Sequence, residues 1–225
     1  YFPRFFGDEQ SLARAFLRLA GTPPRDIPAK LLPDIFKARG GQTDWQDVAC
    51  FAALRSRFCV ISGGPGTGKT TTVARILALA VRLHAGKDFR IRLAAPTGKA
   101  ASRMSEALAA AFPGGTLPPD LDESLTQGAQ TVHRLLGWGA GGFLHHQGNP
   151  LPLDMLVVDE ASMLDLELTA RLLEALPEHA SLVLLGDRNQ LASVEAGAVL
   201  GNLCPEDVVN AFSPAFAAEA ARAGA

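Results

Sequence analysis

Three stretches of this 225-residue sequence hold residues whose types and spacing suit work on phosphates. Gly63-Gly64-Pro65-Gly66-Thr67-Gly68-Lys69-Thr70 fits the pattern G-x-x-x-x-G-K-[ST]. Its glycines let the backbone curl so that N–H groups face an anion, and a helix opening behind them adds partial positive charge. Lys69 reaches the β- and γ-phosphates of a bound nucleotide, Thr70 offers its hydroxyl to Mg²⁺, and Thr71 follows in the same helix start. Met155-Leu156-Val157-Val158-Asp159-Glu160 is an apolar run that ends in two acids. The Asp159 carboxylate suits Mg²⁺, which keeps octahedral oxygen coordination, and Glu160 is placed to orient or deprotonate an attacking water. Gly186-Asp187-Arg188-Asn189-Gln190 is the third stretch, in which the neutral amide of Gln190 can bond a γ-phosphate oxygen or that water. Asp, Asn and Gly also mark ordinary turns, so this stretch taken alone is weak.

Such residues need elements that bring them to one edge. Phe58 to Ser62 is a short apolar run entering the glycine-rich turn, and Thr70 to His84 reads as a helix closed by Gly86. Phe89 to Ala95 reads as a strand, Gly98 to Phe112 as a helix, 113–129 as a surface loop rich in Pro, Gly and acids, and Thr131 to Leu136 as a short helix. A second loop, 137–152, precedes a strand from Asp154 to Asp159, a helix from Asp165 to Leu176 and a strand from Ser181 to Gly186. Strands alternating with helices predict an α/β fold, a parallel sheet with helices on both faces and ligands at the carboxyl ends of the strands. The informative residues do follow Ser62, Ala95, Val158 and Leu185. Ahead of this lies a small helical unit. Asp8 is predicted to cap a helix with Leu12, Ala15, Phe16 and Leu19 on one face and Gly21 at its end. Thr22-Pro23-Pro24 breaks the chain, a second helix runs from Ile27 to Ala38, and Gly40-Gly41 marks a boundary between 1–41 and 42–225. The next helix starts at Thr43 or Asp44, where Thr43-x-x-Gln46 fits a capping box.

Hydrophobic residues at 48% and charged residues at 20% exclude a disordered or collagen-like chain. The longest apolar candidate, Val73 to Leu83, is cut by Arg75 and Arg82, so no membrane span or membrane partner is predicted. Cys50, Cys59 and Cys204 lack C-x-x-C spacing and read as the reduced thiols of a cytoplasmic protein. The sequence opens at Tyr1 without a methionine or a leader, which suggests an excised piece. His145-His146 points two ways from adjacent positions and is expected in a solvated loop rather than on a metal. The net charge of −2 hides a strong asymmetry: residues 55–103 carry 10 basic and 1 acidic side chains, and residues 104–225 carry 4 and 16. A basic middle segment is a footprint for phosphates of a nucleotide or a nucleic acid, or else a set of solvated helix faces.

At this point the residues match a family. The phosphate loop, Ala95-Pro96-Thr97-Gly98-Lys99-Ala100-Ala101, Thr131-Val132-His133-Arg134-Leu135-Leu136-Gly137, Asp159-Glu160-Ala161-Ser162-Met163 and Leu185-Gly186-Asp187-Arg188-Asn189-Gln190-Leu191 resemble motifs I, Ia, Ib, II and III of superfamily 1 helicases, in that order. Their wording resembles the RecD family, the α subunits of exonuclease V, strongly from Thr43 to Gly201 and more weakly before it. The resemblance implies a P-loop NTPase with a RecA-like lobe, ATP and Mg²⁺ as cofactors, and single- and double-stranded DNA as partners. It also implies 5′ to 3′ movement and assembly with RecB-like and RecC-like subunits in double-strand break processing. By resemblance Gln46 reads adenine, although a plain capping glutamine would have the same spacing. Thr97 and Lys99 correspond to residues that contact the backbone of single-stranded DNA, or they simply start a helix. His133 lies in the second DNA-contacting motif, where a lone histidine can equally pack or cap. The stretch 137–152 is where related helicases insert a small subdomain or hairpin, and Trp138 and Phe143 either stack on a base or pack locally.

Superfamily 1 motors hold ATP between two lobes, with an arginine from the second completing the site. Only 35 residues follow Gln190, and no motifs IV to VI are among them, so these 225 residues alone are expected to bind nucleotide weakly and turn over little ATP. Three other readings stay open at this level: a P-loop ATPase or kinase that does not act on DNA, a scaffold with an idle nucleotide site, and a stand-alone or relaxase-type helicase.

Overall fold

The computed structural model describes residues 3–28, 43–64, 66–85, 87–111, 125, 128–190, 199–204 and 210–225. Five strands form one sheet: β1 (Phe58–Ser62), β2 (Ile91–Ala95), β3 (Ala129–Thr131), β6 (Met155–Val158) and β7 (Ser181–Gly186). Their order is β1-β7-β6-β2-β3, and every pairing is parallel. A separate antiparallel pair is made by β4 (Trp138–Gly139) and β5 (Gly142–Phe143). The helices are α1 (Pro3–Ala20), α2 (Trp45–Arg55), α3 (Lys69–Leu83), α4 (Gly98–Ala111), α5 (Val132–Leu135), α6 (Leu166–Ala175), α7 (Val199–Leu203) and α8 (Pro214–Ala223), with a 3₁₀ turn at Ala161–Met163.

The two-residue period of the strands divides the core in two. Ile91, Leu93, Met155, Val157, Val183 and Leu185 face α2, α3, α4 and α8, and Ala94, Leu156, Val158, Leu182 and Leu184 face α1, α5 and α6. β6 and β7 are buried along their whole length, which is why both read as unbroken apolar runs. Helix α1 packs along α6 with Leu12 and Leu19 in the second core and the Phe16 ring 4.9 Å from that of Phe58. Because all five strands point the same way, their carboxyl ends share one edge. At ~4.8 Å between neighbours, the loops after β1 and β3 stand about 19 Å apart along it.

Several expectations are corrected. Asp8 does not cap α1: the helix begins at Pro3, and Asp8 is buried within it, with one carboxylate oxygen 3.9 Å from Arg171 of α6. The Thr43-x-x-Gln46 capping box is not formed, because Asp44 is the cap and accepts from the Gln46 backbone N–H at 2.9 Å. Of the expected 113–129 loop only 125, 128 and 129 are among the described residues, and Ala129 opens β3, whose three residues pair with Leu93, Ala94 and Ala95. The start of the second strand shifts from Phe89 to Ile91, and the Phe89 ring stacks on His84 instead, at 3.7 Å. Within 137–152 the structure forms the β4–β5 hairpin. Most of the expected Ile27–Ala38 helix, the Gly40-Gly41 boundary, Pro65, Gly86 and Leu191 lie outside the described residues.

Candidate functional site

The phosphate loop joins β1 to α3. Gly66 and Gly68 adopt left-handed backbone (φ 77° and 82°), a conformation that side-chain-bearing residues avoid. Gly63 N–H donates to Gly186 O at 3.0 Å, which ties the root of the loop to β7. Thr67 Oγ1 donates to Gly64 O at 2.9 Å and curls the loop, and Lys69 Nζ arches over it to Gly63 O and Gly64 O at 2.6 and 3.1 Å. Thr70 and Thr71 occupy the first turn of α3, beside the loop amides. Gln46 reaches across from α2 and donates through Nε2 to Thr67 O at 3.4 Å. A side chain at Gly68 would collide with that amide.

β6 delivers Asp159 and Glu160 to the same edge. Burial pushes the Asp159 carboxyl up, against the Glu160 N–H, which donates to it at 2.8 Å, and the Lys69 ammonium, which both favour the carboxylate. A largely buried carboxylate with a threonine hydroxyl in the same cleft is an oxygen donor set of the kind Mg²⁺ takes. Glu160 itself has φ 52°, a left-handed turn that swings the chain out of β6 and into the 3₁₀ turn. Gln190, after β7, accepts from Ser162 Oγ of that turn at 3.3 Å, so the two acidic and amide motifs are physically joined. Asp187 folds back on its own loop and accepts from Asn189 N–H at 2.9 Å.

The DNA candidates stand on the far side of the acids. Thr97 Oγ1 accepts from Ala100 N–H at 3.2 Å and so caps α4, while Lys99 is exposed on its first turn. The β2–β3 register sets Ala95 opposite Thr131, and this places the Thr97–Lys99 turn beside the start of α5, where His133 is exposed. His133, Trp138 and Phe143 form one surface cluster, with Trp138 and Phe143 rings 4.6 Å apart across the hairpin and His133 edge-on to Trp138 at 6.3 Å. Local packing therefore holds these rings, though Trp138 remains 61% exposed. A cleft of about 470 Å³ is shared by the two groups: Thr70, Asp159, Glu160 and Gln190 line it together with Thr97, Lys99 and Arg103. His145 and His146 bond the backbone of their own loop, and no metal-binding cluster occurs among the described residues.

Gln190 is legible in the sequence and its partner Ser162 is not, because a serine beside two acids carries no signal of its own. The basic segment, read as a phosphate footprint or as solvated helix faces, has a third use as well. Arg55 pairs with Glu219, Arg57 donates to Glu178 O, Arg75 pairs with Asp47 and Arg90 with Asp154, so these cations are spent inside the fold. Among the described residues Lys99 and Arg103 have no ion pair, and both face the cleft.

A family model described as an AAA domain matches residues 46–196, and the chain belongs to that family. It is 48% identical over 180 residues to the RecBCD enzyme subunit RecD of Haemophilus influenzae, covering 76% of this chain and 28% of that protein. Against the RecBCD enzyme subunit RecD of Mycolicibacterium smegmatis it is 44% identical over 211 residues, covering 90% and 37%. It is also 38% identical over 200 residues to the ATP-dependent RecD2 DNA helicase of Deinococcus radiodurans, covering 88% and 25%. The chain thus spans between a quarter and two fifths of these relatives. Among solved structures the UvsW helicase from bacteriophage T4 superposes with a TM-score of 0.51 at 12% identity, covering 73% of this chain and 61% of that one, a likeness of fold. The expected RecA-like P-loop architecture stands. No helix among the described residues is long and apolar enough to cross a membrane.

Proposed function

We propose that residues 42–225 are the first motor lobe of an ATP-driven DNA helicase of the RecD type, preceded by the end of an N-terminal helical domain in 1–41. The observation that carries this is the shared cleft, which sets the nucleotide-side groups Thr70, Asp159, Glu160 and Gln190 against Thr97, Lys99 and Arg103. In this reading the phosphate loop, from Gly63 through Pro65 to Thr71, holds the triphosphate, with Lys69 on its terminal phosphates and Gln46 on adenine. Thr70 and Asp159 would hold Mg²⁺, which would supply positive charge against the phosphates when bound. Glu160 orients the attacking water and takes its proton, and Gln190, braced by Ser162, reports whether the γ-phosphate is present. Thr97, Lys99 and His133 track the single strand, so a change at Gln190 or Glu160 is felt across the cleft as a change in grip. The relatives named as RecD subunits of a RecBCD enzyme support a subunit that assembles with RecB-like and RecC-like partners; 5′ to 3′ movement, double-strand break repair and a cytoplasmic location complete the proposal on the resemblance of its motifs alone. The RecD2 relative supports a second reading, a stand-alone helicase.

The test is made in the full-length protein with whatever subunits co-purify. Lys69→Gln is expected to abolish DNA-stimulated ATP turnover by this subunit while leaving assembly intact. Unchanged translocation would favour a scaffold, and hydrolysis indifferent to DNA would favour a P-loop ATPase with another substrate. Co-purification with RecB-like and RecC-like subunits separates the complex from the stand-alone reading. Residues 1–225 alone are expected to hydrolyse little ATP, since loss of an arginine finger costs ~10³-fold or more; robust DNA-stimulated turnover by them would refute this.

A further inference from the structure

Behind the nucleotide site lies a charged contact that none of the chemistry above uses. Asp47, in the first turn of α2, is 3% exposed, and its carboxylate is held by Arg75 Nη2 of α3. The other terminal nitrogen of Arg75, Nη1, lies 3.9 Å from Asp44 Oδ2. Asp44 is the residue that caps α2 through the Gln46 backbone N–H, and Gln46 is the residue whose side chain touches the Thr67 carbonyl. A single guanidinium on the helix that grows out of the phosphate loop therefore fixes the start of the helix that carries Gln46.

A buried ion pair is a poor way to glue two helices, because an apolar pair of the same volume holds them as well or better. What the pair supplies is one relative placement. We propose that Arg75, through Asp47 and Asp44, is a positioning residue for base selection: it holds the Gln46 amide at a set distance and orientation against the phosphate loop. This rests on the adenine reading of Gln46. With Nε2 directed at the Thr67 carbonyl, the amide has Oε1 and its second Nε2 hydrogen left for a base. Adenine offers the 6-amino donor and N7 acceptor that match them, whereas guanine puts its O6 against Oε1. An amide that can swing loses this distinction, because it can turn away from O6 as easily as toward an amino group.

The measurement is KM and kcat for ATP and GTP in the full-length protein, with binding of non-hydrolysable analogues alongside. Arg75→Met is expected to cut the ATP-over-GTP preference roughly 10-fold, the order of one bidentate base contact. The loss should sit in KM for ATP, with KM for GTP and both kcat values within about twofold of wild type. Arg75→Lys should restore part of the preference. In a Gln46→Ala background Arg75→Met should change the preference no further, since both act through one amide. Arg75→Gln, which keeps the stem, is read by the same ratio should the methionine variant not fold. A parallel weakening of ATP and GTP, a preference left intact, or an effect that persists without Gln46 would each overturn the clamp. Equal affinity of the wild type for ATP and GTP would instead overturn the adenine reading itself.

Discussion

Gly186 ends β7, and the absence of a side chain there is a structural requirement. A Cβ at this position would sit 2.5 Å from Leu200 Cδ2, 3.0 Å from Ser162 N and 3.4 Å from Ala161 N. Leu200 can rotate its terminal methyl. The two amides cannot yield alone, because they belong to the 3₁₀ turn that begins immediately after Glu160. In Gly186→Ala the turn must move by a few tenths of an ångström, an overpacking cost of about 1–3 kcal/mol. For a unit of this size that is a fall in Tm of roughly 2–10 °C. The carbonyl of Gly186, which accepts from Gly63 N–H, points elsewhere and is left in place, so the phosphate loop keeps its anchor. The expected kinetic signature is therefore a kcat for DNA-stimulated ATP hydrolysis lowered about 10-fold, which corresponds to only ~1.4 kcal/mol of misplacement. KM for ATP should move little. Thermal unfolding and steady-state ATPase of the full-length protein measure both. A variant with wild-type Tm and kcat, or one whose loss lies in KM alone, would refute the argument that Gly186 seats the acidic turn.

At the opposite end of the sheet, burial acts to raise the Asp154 carboxyl, but bonds from Arg90 N–H (2.8 Å), Arg90 Nε (3.3 Å) and His179 (3.0 Å) outweigh it and hold the group below its ordinary range. A depressed carboxyl stabilises above its unfolded pKa, near 4, and loses that as pH falls through its folded value; Asp154→Asn should thus cost about 2 kcal/mol in urea unfolding at pH 7 and far less in acid, and a cost independent of pH would count against the ion pair. Burial pushes the Cys50 and Cys59 thiols up to about 12, so native alkylation at neutral pH followed by peptide mapping should label Cys204 and spare both, with labelling of either contradicting the packed core. Lys99→Ala should weaken single-stranded DNA binding uniformly across sequences and lower the salt slope by about 0.7, the value for one phosphate contact; an unchanged slope would remove Lys99 from the strand's path.

The central strands were legible because burial on both faces leaves a plain mark: Met155–Val158 and Ser181–Gly186 are unbroken apolar runs, and each ends in residues with a chemical use. The phosphate loop was legible because its glycine spacing is a backbone requirement, visible again in the left-handed Gly66 and Gly68. β3 was not, since Ala129-Gln130-Thr131 is half-buried and exists only because β2 offers it a partner. The start of α1 misled because an aspartate looks the same as a cap or as a buried acid facing Arg171. Charge was the least legible of all. Arg75 interrupts an apolar run and reads as solvated, yet its partner is Asp47 on another helix. Arg55 and Arg57 find Glu219 and the Glu178 carbonyl at the far end of the sequence, where no local pattern points to them.

The strand order has a consequence for how the chain is made. β1 is paired only with β7 among the described strands, and Phe58 meets Leu182. A ribosome adding ~5–20 residues per second takes on the order of 10 s to travel between them. During that interval β2, β3 and β6 can already associate, while the strand that leads into the phosphate loop waits without a neighbour, its hydrogen-bonding edge open to any passing chain. Among the described strands, the pairing that underlies the nucleotide pocket is therefore the last to close during synthesis. Nucleotide captured on a nascent chain would report that β7 has emerged and slotted home.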